Sequence, residues 1–403
     1  MSEILAKVRR HNQWRMGECL NLIPSENITS PQVREILSSD LGHRYTLPFD
    51  KVLHGLYVEN AYRGTRYLDE IEGIGEKLAR DVFGAKHASL KPLSGHVAAL
   101  MMLIACCNRG DRILTLRPEH GGYDGYWTGY MPKVLGLKVS ALPFSERNWN
   151  LDYDNAAGKI IREKPALVVV GASFLLFPYH LDSLREACTE VGSILGYDAS
   201  HVLGLIGGGE FQKPLDEGAD VLCGSTHKSF FGPQGGLILT NRSDLFESID
   251  KTTHWRVMDN AHWHRIAALA QALLETKRFG REYAKQVVTN TRVLAGELDE
   301  GGFPIRFGNM GYTECHQILV DTRAVQERMG LTPHEYSSRL EGSSIIVDSV
   351  GRLGANELTR MGANEEIISK VADIILRTLR GERTRAEVLK LRSSLRMKYF
   401  FER

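Results

Sequence analysis

Short apolar and β-branched runs alternate with helix-like stretches between about residues 81 and 241. Five runs stand out, at 112–116, 166–171, 193–198, 221–224 and 235–240. Because they are apolar at successive rather than alternate positions, they predict strands buried on both faces, and the stretches between them predict helices. The expected fold class is α/β, a mostly parallel sheet with helices on its faces. Ligands of such sheets bind beyond the carboxyl ends of the strands, so polar residues just after each run are the candidates for chemistry. From about 254 to 298 the pattern predicts one long amphipathic helix, and from about Pro304 a smaller α+β mixture. The expected division is an N-terminal arm over 1–30, a large domain over 31–280 and a small C-terminal domain over 281–403.

Composition narrows the function classes. The 403 residues are 43% apolar and 25% charged, enough for a substantial core in more than one domain. Fifty basic and 49 acidic residues nearly cancel, with no long run of one sign, so neither nucleic acid nor a membrane surface is an expected partner. The first residues, MSEILAKVRRHNQWRMGE, are charged, and no stretch reaches the roughly 20 apolar residues of a bilayer span; the expected location is the cytoplasm. Cysteines 19, 106, 107, 188, 223 and 315 show no CxxC spacing and read as small reduced core residues, so no metal site is expected. A nicotinamide site is also not expected, since Gly207-Gly208-Gly209 lacks the strand, helix and distant acid of a dinucleotide-binding turn.

Four segments carry candidate chemistry. Gly224-Ser225-Thr226-His227-Lys228-Ser229 follows one apolar run and precedes another, placing Lys228 on a loop at a sheet edge among hydroxyls and a histidine. Partial burial of that kind lowers an amine's pKa and fixes its approach, as imine formation requires. Asp198 stands at the end of the run 193–198, where a buried carboxylate needs a cationic partner; a protonated pyridine nitrogen is one. Ser94-Gly95-His96 opens a helix-like stretch, whose first N–H groups suit a phosphate. In Glu119-His120-Gly121-Gly122 the glycines let the backbone turn His120 inward, where its ring could stack on a flat cofactor.

Together these segments resemble serine hydroxymethyltransferase and its relatives, a family of fold-type I pyridoxal-phosphate enzymes. The resemblance runs over nearly the whole chain. It includes Leu22-Ile23-Pro24-Ser25-Glu26-Asn27, Ser94-Gly95-His96, His120-Gly121-Gly122, Asp198 with His201, and Thr226-His227-Lys228. It implies pyridoxal 5'-phosphate as cofactor, a large domain with a seven-stranded sheet, an amino-acid substrate, and a homodimer with active sites at the subunit interface. Lys228 would form the Schiff base and Asp198 would pair with the ring nitrogen. His120 would stack on the ring, and Ser173 and His201 would lie near the ring oxygen. Ser94, Gly95, His96, Ser225 and His227 complete the expected cofactor site. Ser25, Tyr45, Tyr62 and Arg360 would meet the substrate, with Arg352 a rival for its carboxylate.

Departures from the family bear on the reaction. Leu47 stands where a Tyr-x-Glu pattern supplies an acid/base glutamate, and Glu59 nearby does not match it. Ala61-Tyr62-Arg63-Gly64 replaces paired tyrosines, and Arg66 takes a position usually acidic. The loop at 342–351 is cut down, and the stretch 254–264, with Arg256 and His262, replaces a glycine-rich one. Loss of a placed proton-transfer group costs a reaction about 10² to 10⁴ in rate. The expected function is therefore folate-independent Cα–Cβ chemistry at an amino acid, of the aldolase or transaldolase type, through a quinonoid. Alternatives are oxygen-dependent decarboxylation with oxidative deamination, genuine tetrahydrofolate-dependent hydroxymethyl transfer, and a catalytically silent scaffold.

Overall fold

A computed structural model describes residues 2–402, and the chain falls into two compact units, one formed by 29–280 and the other by 1–28 with 281–403. In the first unit seven strands form one sheet: β1 His87–Ser89, β2 Arg112–Thr115, β3 Lys138–Ala141, β4 Leu167–Val170, β5 Ile194–Asp198, β6 Val221–Ser225 and β7 Gly236–Thr240. Their order across the sheet is β1-β7-β6-β5-β4-β2-β3, with only β7 running against its neighbours. Strands β4, β6 and β7 are buried at every residue, which is why their sequences are continuously apolar rather than alternating. The edge strands β1 and β3 are short or partly exposed, and neither stood out in the apolar pattern.

Helices α1 Arg66–Phe83, α2 Gly95–Cys106, α3 Tyr153–Glu163, α4 Leu181–Val191, α5 Ser243–Thr252 and α6 Trp263–Glu300 follow in chain order. Helix α2 is apolar around most of its surface because it has two partners, β6 and β7 on one side and α5 on the other. Its residues Met101, Met102 and Leu103 join Ile113, Leu167, Val221 and Tyr126 in the buried core of this unit. Asp152 caps α3 through a bond from Asn155 N, and Ser94 caps α2 through one from Val97 N.

Two features correct the expected pattern. The helix expected from 254 begins at Trp263: Thr253–Met258 forms a π-helical turn, and Asp259 at φ 58° breaks the ladder before α6. Between Leu47 and Ala61 an antiparallel hairpin projects, Pro48–Leu53 against Leu56–Asn60. Asn60 ties its base: Oδ1 accepts from Leu47 N at 3.3 Å and Tyr62 N at 2.9 Å, and Nδ2 donates to Thr46 Oγ1 at 2.8 Å.

In the second unit, Leu20–Asn21 pairs in parallel with Ile345–Ile346, and Gln317–Leu319 runs antiparallel to Arg352–Gly354. The helix α7 Glu365–Leu379 buries Ile368, Val371, Ala372 and Ile375 against Leu20, Leu22, Leu294 and Leu353. Leu20 and Leu22 of the N-terminal segment are thus core residues of this unit, while Glu3–Glu18 bury none. Met102 is 0% exposed and lies against Gly196 of β5, so Met102→Ala is expected to lower the free energy of unfolding by about 2–5 kcal/mol, read from urea denaturation.

Candidate active site

An open cleft with about 400 Å³ of free space lies at the carboxyl ends of β4, β5 and β6. Each strand delivers its polar residues there within a few positions of its last buried one. Gly171, Ala172 and Ser173 follow β4; Asp198 closes β5, with Ser200 and His201 just beyond; Ser225 closes β6, and Lys228 lies three residues further on. Gly95 and His96, the first turn of α2, face them, and Tyr123 completes the lining. Gly171, at φ 125°, passes so close to Asp198 that a Cβ would collide with that residue's backbone oxygen.

Asp198 is 8% exposed, and both of its oxygens are met within the chain. Ser200 N donates to Oδ1 at 2.9 Å and Tyr126 OH to Oδ2 at 3.0 Å. Those bonds orient a carboxylate that burial would otherwise penalise. His96 Nδ1 lies 2.7 Å from Tyr123 OH, and burial followed by the charge of Asp198 pushes the Tyr123 phenol up from its ordinary pKa. Apart from Asp198, no carboxylate lines the cleft among the described residues.

Phosphate has a place at α2. Ser94 Oγ takes the Val97 N–H, leaving those of Gly95 and His96 at the cleft. A Cβ at Gly95 would run into Ser225 Oγ, so only glycine lets the helix start approach β6 this closely. An amine at Lys228, a carboxylate at Asp198 and an anion cradle at α2 around one cleft fit pyridoxal phosphate in its three polar parts: aldehyde, ring nitrogen and phosphate.

Not every expected residue lines this space. His120 lies beside it, its ring stacked on Phe144 with centroids 4.6 Å apart at 11°, so only its other face is left for a cofactor. Ser94 caps α2 without lining the cleft, and His227, next to Lys228 in the chain, is partly buried and does not line it either. Burial first, then the Lys228 charge, push the His227 imidazole down to about 4, while a bond with the Gly235 backbone pulls the other way. Tyr45 and Tyr62 form an exposed ring pair 5.4 Å apart near the base of the hairpin. Tyr62 lines a separate cavity with Glu59, Arg63 and Arg66.

Ser25 and Arg360 belong to the other unit. There the 22–27 segment is held by Asn356, whose side chain donates to Glu26 O, and Asn27 Nδ2 donates to Tyr283 OH at 2.8 Å. Arg360 is 0% exposed and donates to Tyr399 O, while Arg352 is engaged by Asp348 at 2.8 Å. Between them, Glu357 is pushed up to about 7 by burial, with Asn21 Nδ2 donating to it at 2.6 Å. Sequence reasoning missed Tyr123, Ser200 and Tyr126. Tyr123 directly follows the quoted Gly121-Gly122 turn, whereas Tyr126 gives no sign in the sequence that it is more than an apolar core residue.

Fold and cleft together define a fold-type I pyridoxal-phosphate enzyme. More narrowly, the chain belongs to the serine hydroxymethyltransferase family, whose model, described as "Serine hydroxymethyltransferase", matches residues 2–375. It is 40% identical to a serine hydroxymethyltransferase of Methanopyrus kandleri, covering 98% of this chain and 93% of the relative. The protein of the same name from Korarchaeum cryptofilum is 38% identical, with 99% and 96% covered. Among solved structures, an L-threonine transaldolase from Pseudomonas fluorescens, in its internal aldimine state, superposes with a TM-score of 0.87 at 24% identity, covering 99% of this chain and 93% of that one, which bears on the fold. Among the described residues no helix is long and apolar enough to cross a membrane, and no three His, Cys, Asp or Glu are grouped to hold a metal.

The His227 shift has a pH signature. A histidine whose folded pKa is depressed to about 4 keeps its full contribution to stability above the unfolded value of about 6.5 and loses it as pH falls toward 4. Wild type is therefore expected to lose about 2 kcal/mol more than His227→Asn between pH 7.5 and pH 5, measured by urea unfolding at both.

Proposed function

We propose that this chain cleaves the Cα–Cβ bond of a β-hydroxy amino acid without folate, in aldol or transaldol fashion. The carrying observation is Leu47. It stands where the family's proton-transfer glutamate is expected, on backbone pinned by Asn60 at its N–H and by Ala61 N at its carbonyl. A leucine moves no proton, and the Lys228 cleft has no carboxylate besides Asp198 among the described residues.

Lys228 Nζ would hold the cofactor's aldehyde carbon, Gly95 and His96 N–H its phosphate, and His120 one face of its ring. Asp198 would keep the ring nitrogen protonated. Bound pyridoxal phosphate supplies an electron sink for the pair released at Cα. Proton handling at the substrate hydroxyl then falls to the histidines and hydroxyls of the cleft, with the hydrogen-bonded pair of His96 and Tyr123, and His201, the groups best placed. Ser25, Tyr45, Tyr62 and Arg360 are proposed to meet the substrate, with Arg360 for its carboxylate and Arg352, which pairs with Asp348, as its rival. We further propose a homodimer whose partner completes the site. The six cysteines, which are thiols, suit a reducing compartment, and the cytoplasm is the proposed location.

A second reading, hydroxymethyl transfer from serine to a folate, is favoured by 38–40% identity over nearly the whole chain to relatives of that name. Turnover of threonine and serine with and without tetrahydrofolate, under air and under nitrogen, separates the two. Aldehyde from threonine, independent of folate and oxygen, is the expected result; strict dependence on tetrahydrofolate installs the second reading, and carbon dioxide release that needs oxygen points to decarboxylation instead. Leu47→Glu is expected to raise folate-dependent serine cleavage by roughly 10², in the same assay.

A further inference from the structure

Tyr126 is 1% exposed and sits in the apolar core under the cleft, yet its hydroxyl has two polar neighbours there. Asp198 Oδ2 is 3.0 Å away and Cys223 Sγ, on β6, is 3.5 Å away. The direction of the bonds follows from proton counting. An ionised carboxylate only accepts, so the single phenol proton goes to Asp198. The phenol oxygen is then left as the acceptor for the thiol proton of Cys223. Burial and the charge of Asp198 push both groups up from their ordinary pKa values, so each keeps the proton this arrangement needs.

We propose that Tyr126, backed by Cys223, is a positioning residue that holds negative charge on Asp198 and so keeps the shared proton on the cofactor's ring nitrogen. This role rests on the assignment of Asp198 to that nitrogen, and it makes Tyr126 the group that sets how strongly the ring withdraws electrons. The sign is fixed by which form a donor favours. Tyr126 OH on Oδ2, like Ser200 N on Oδ1, stabilises the carboxylate more than the carboxylic acid. Remove the phenol and the carboxylate becomes the better base; the proton it shares with the ring moves toward it, and the ring takes up electrons less readily. A tyrosine that merely filled the core would affect stability and leave the ring's proton where it was.

The test compares wild type, Tyr126→Phe and Cys223→Val as full-length, cofactor-loaded proteins. The readouts are the visible band of the bound cofactor as a function of pH, the cofactor's dissociation constant, and kcat and KM separately. Phenylalanine keeps the ring and its packing, so the expected result is a spectral titration displaced by about half a pH unit or more. With it, kcat should fall about tenfold or more while KM stays within roughly twofold. Valine at 223 is expected to act in the same direction and more weakly, since it removes a donor one step further back. A Tyr126→Phe protein that titrates as wild type and keeps its kcat overturns the proposal, even if it melts earlier. Should that variant fail to fold, Cys223→Val decides alone, and an unmoved titration there overturns it equally. The spectral readout needs only bound cofactor, so it judges Tyr126 even if folate-free cleavage is not observed; a wild type that takes up no cofactor overturns the functional reading itself.

Discussion

A charge buried at the end of a parallel strand is the constraint around which this site is arranged. Asp198 ends β5 at the floor of the cleft, only 8% exposed, and a carboxylate so largely buried is stable where donors converge on it. Ser200 bends back from the next turn, and Tyr126 rises from the core on the segment after β2. Gly171 gives up its side chain so that the neighbouring strand end can pass. Once the carboxylate is held, the rest of the cleft follows from the parallel sheet, since β4, β5 and β6 all empty their polar residues at the same edge.

How much of this could be read in the sequence depends on which signal each residue leaves. The five apolar runs correspond to β2, β4, β5, β6 and β7 within a residue or two, because strands buried on both faces cannot hide their composition. The edge strands β1 and β3 escaped for the converse reason. The helix boundary was misjudged where a single left-handed aspartate, Asp259, interrupts an otherwise helical pattern. The hairpin after Leu47 was missed because its alternation is short and its base is held by one side chain, Asn60, whose role is visible only in three dimensions.

Among chemistry-bearing residues of the cleft, Asp198 and Lys228 were legible because they follow apolar runs, and Gly95 because it opens a capped helix. The resemblance to the family supplied the rest of the expected set. Tyr126 was illegible because an aromatic residue in a core looks the same in sequence whether its hydroxyl is idle or aimed at a carboxylate. The arginines show the opposite limit. Sequence put Arg360 first with Arg352 as its rival, and only in three dimensions does each show its partner, Asp348 for Arg352 and Tyr399 O for Arg360.

One detail of the topology sets Lys228 apart from its neighbours. Elsewhere around the cleft a strand end leads into a helix, but β6 returns through an antiparallel partner, β7, so the loop carrying Lys228 is moored to the sheet at both ends. Thr226 N donates to Gly235 O at 3.1 Å and Thr226 Oγ1 to Pro233 O at 2.7 Å, closing that loop like a clasp. An amine on such a mount cannot be withdrawn by moving its backbone. If Lys228 carries a cofactor as proposed, the loop behind it would stay in place, and the amine would reach and leave its partner by rotation about the four-carbon side chain.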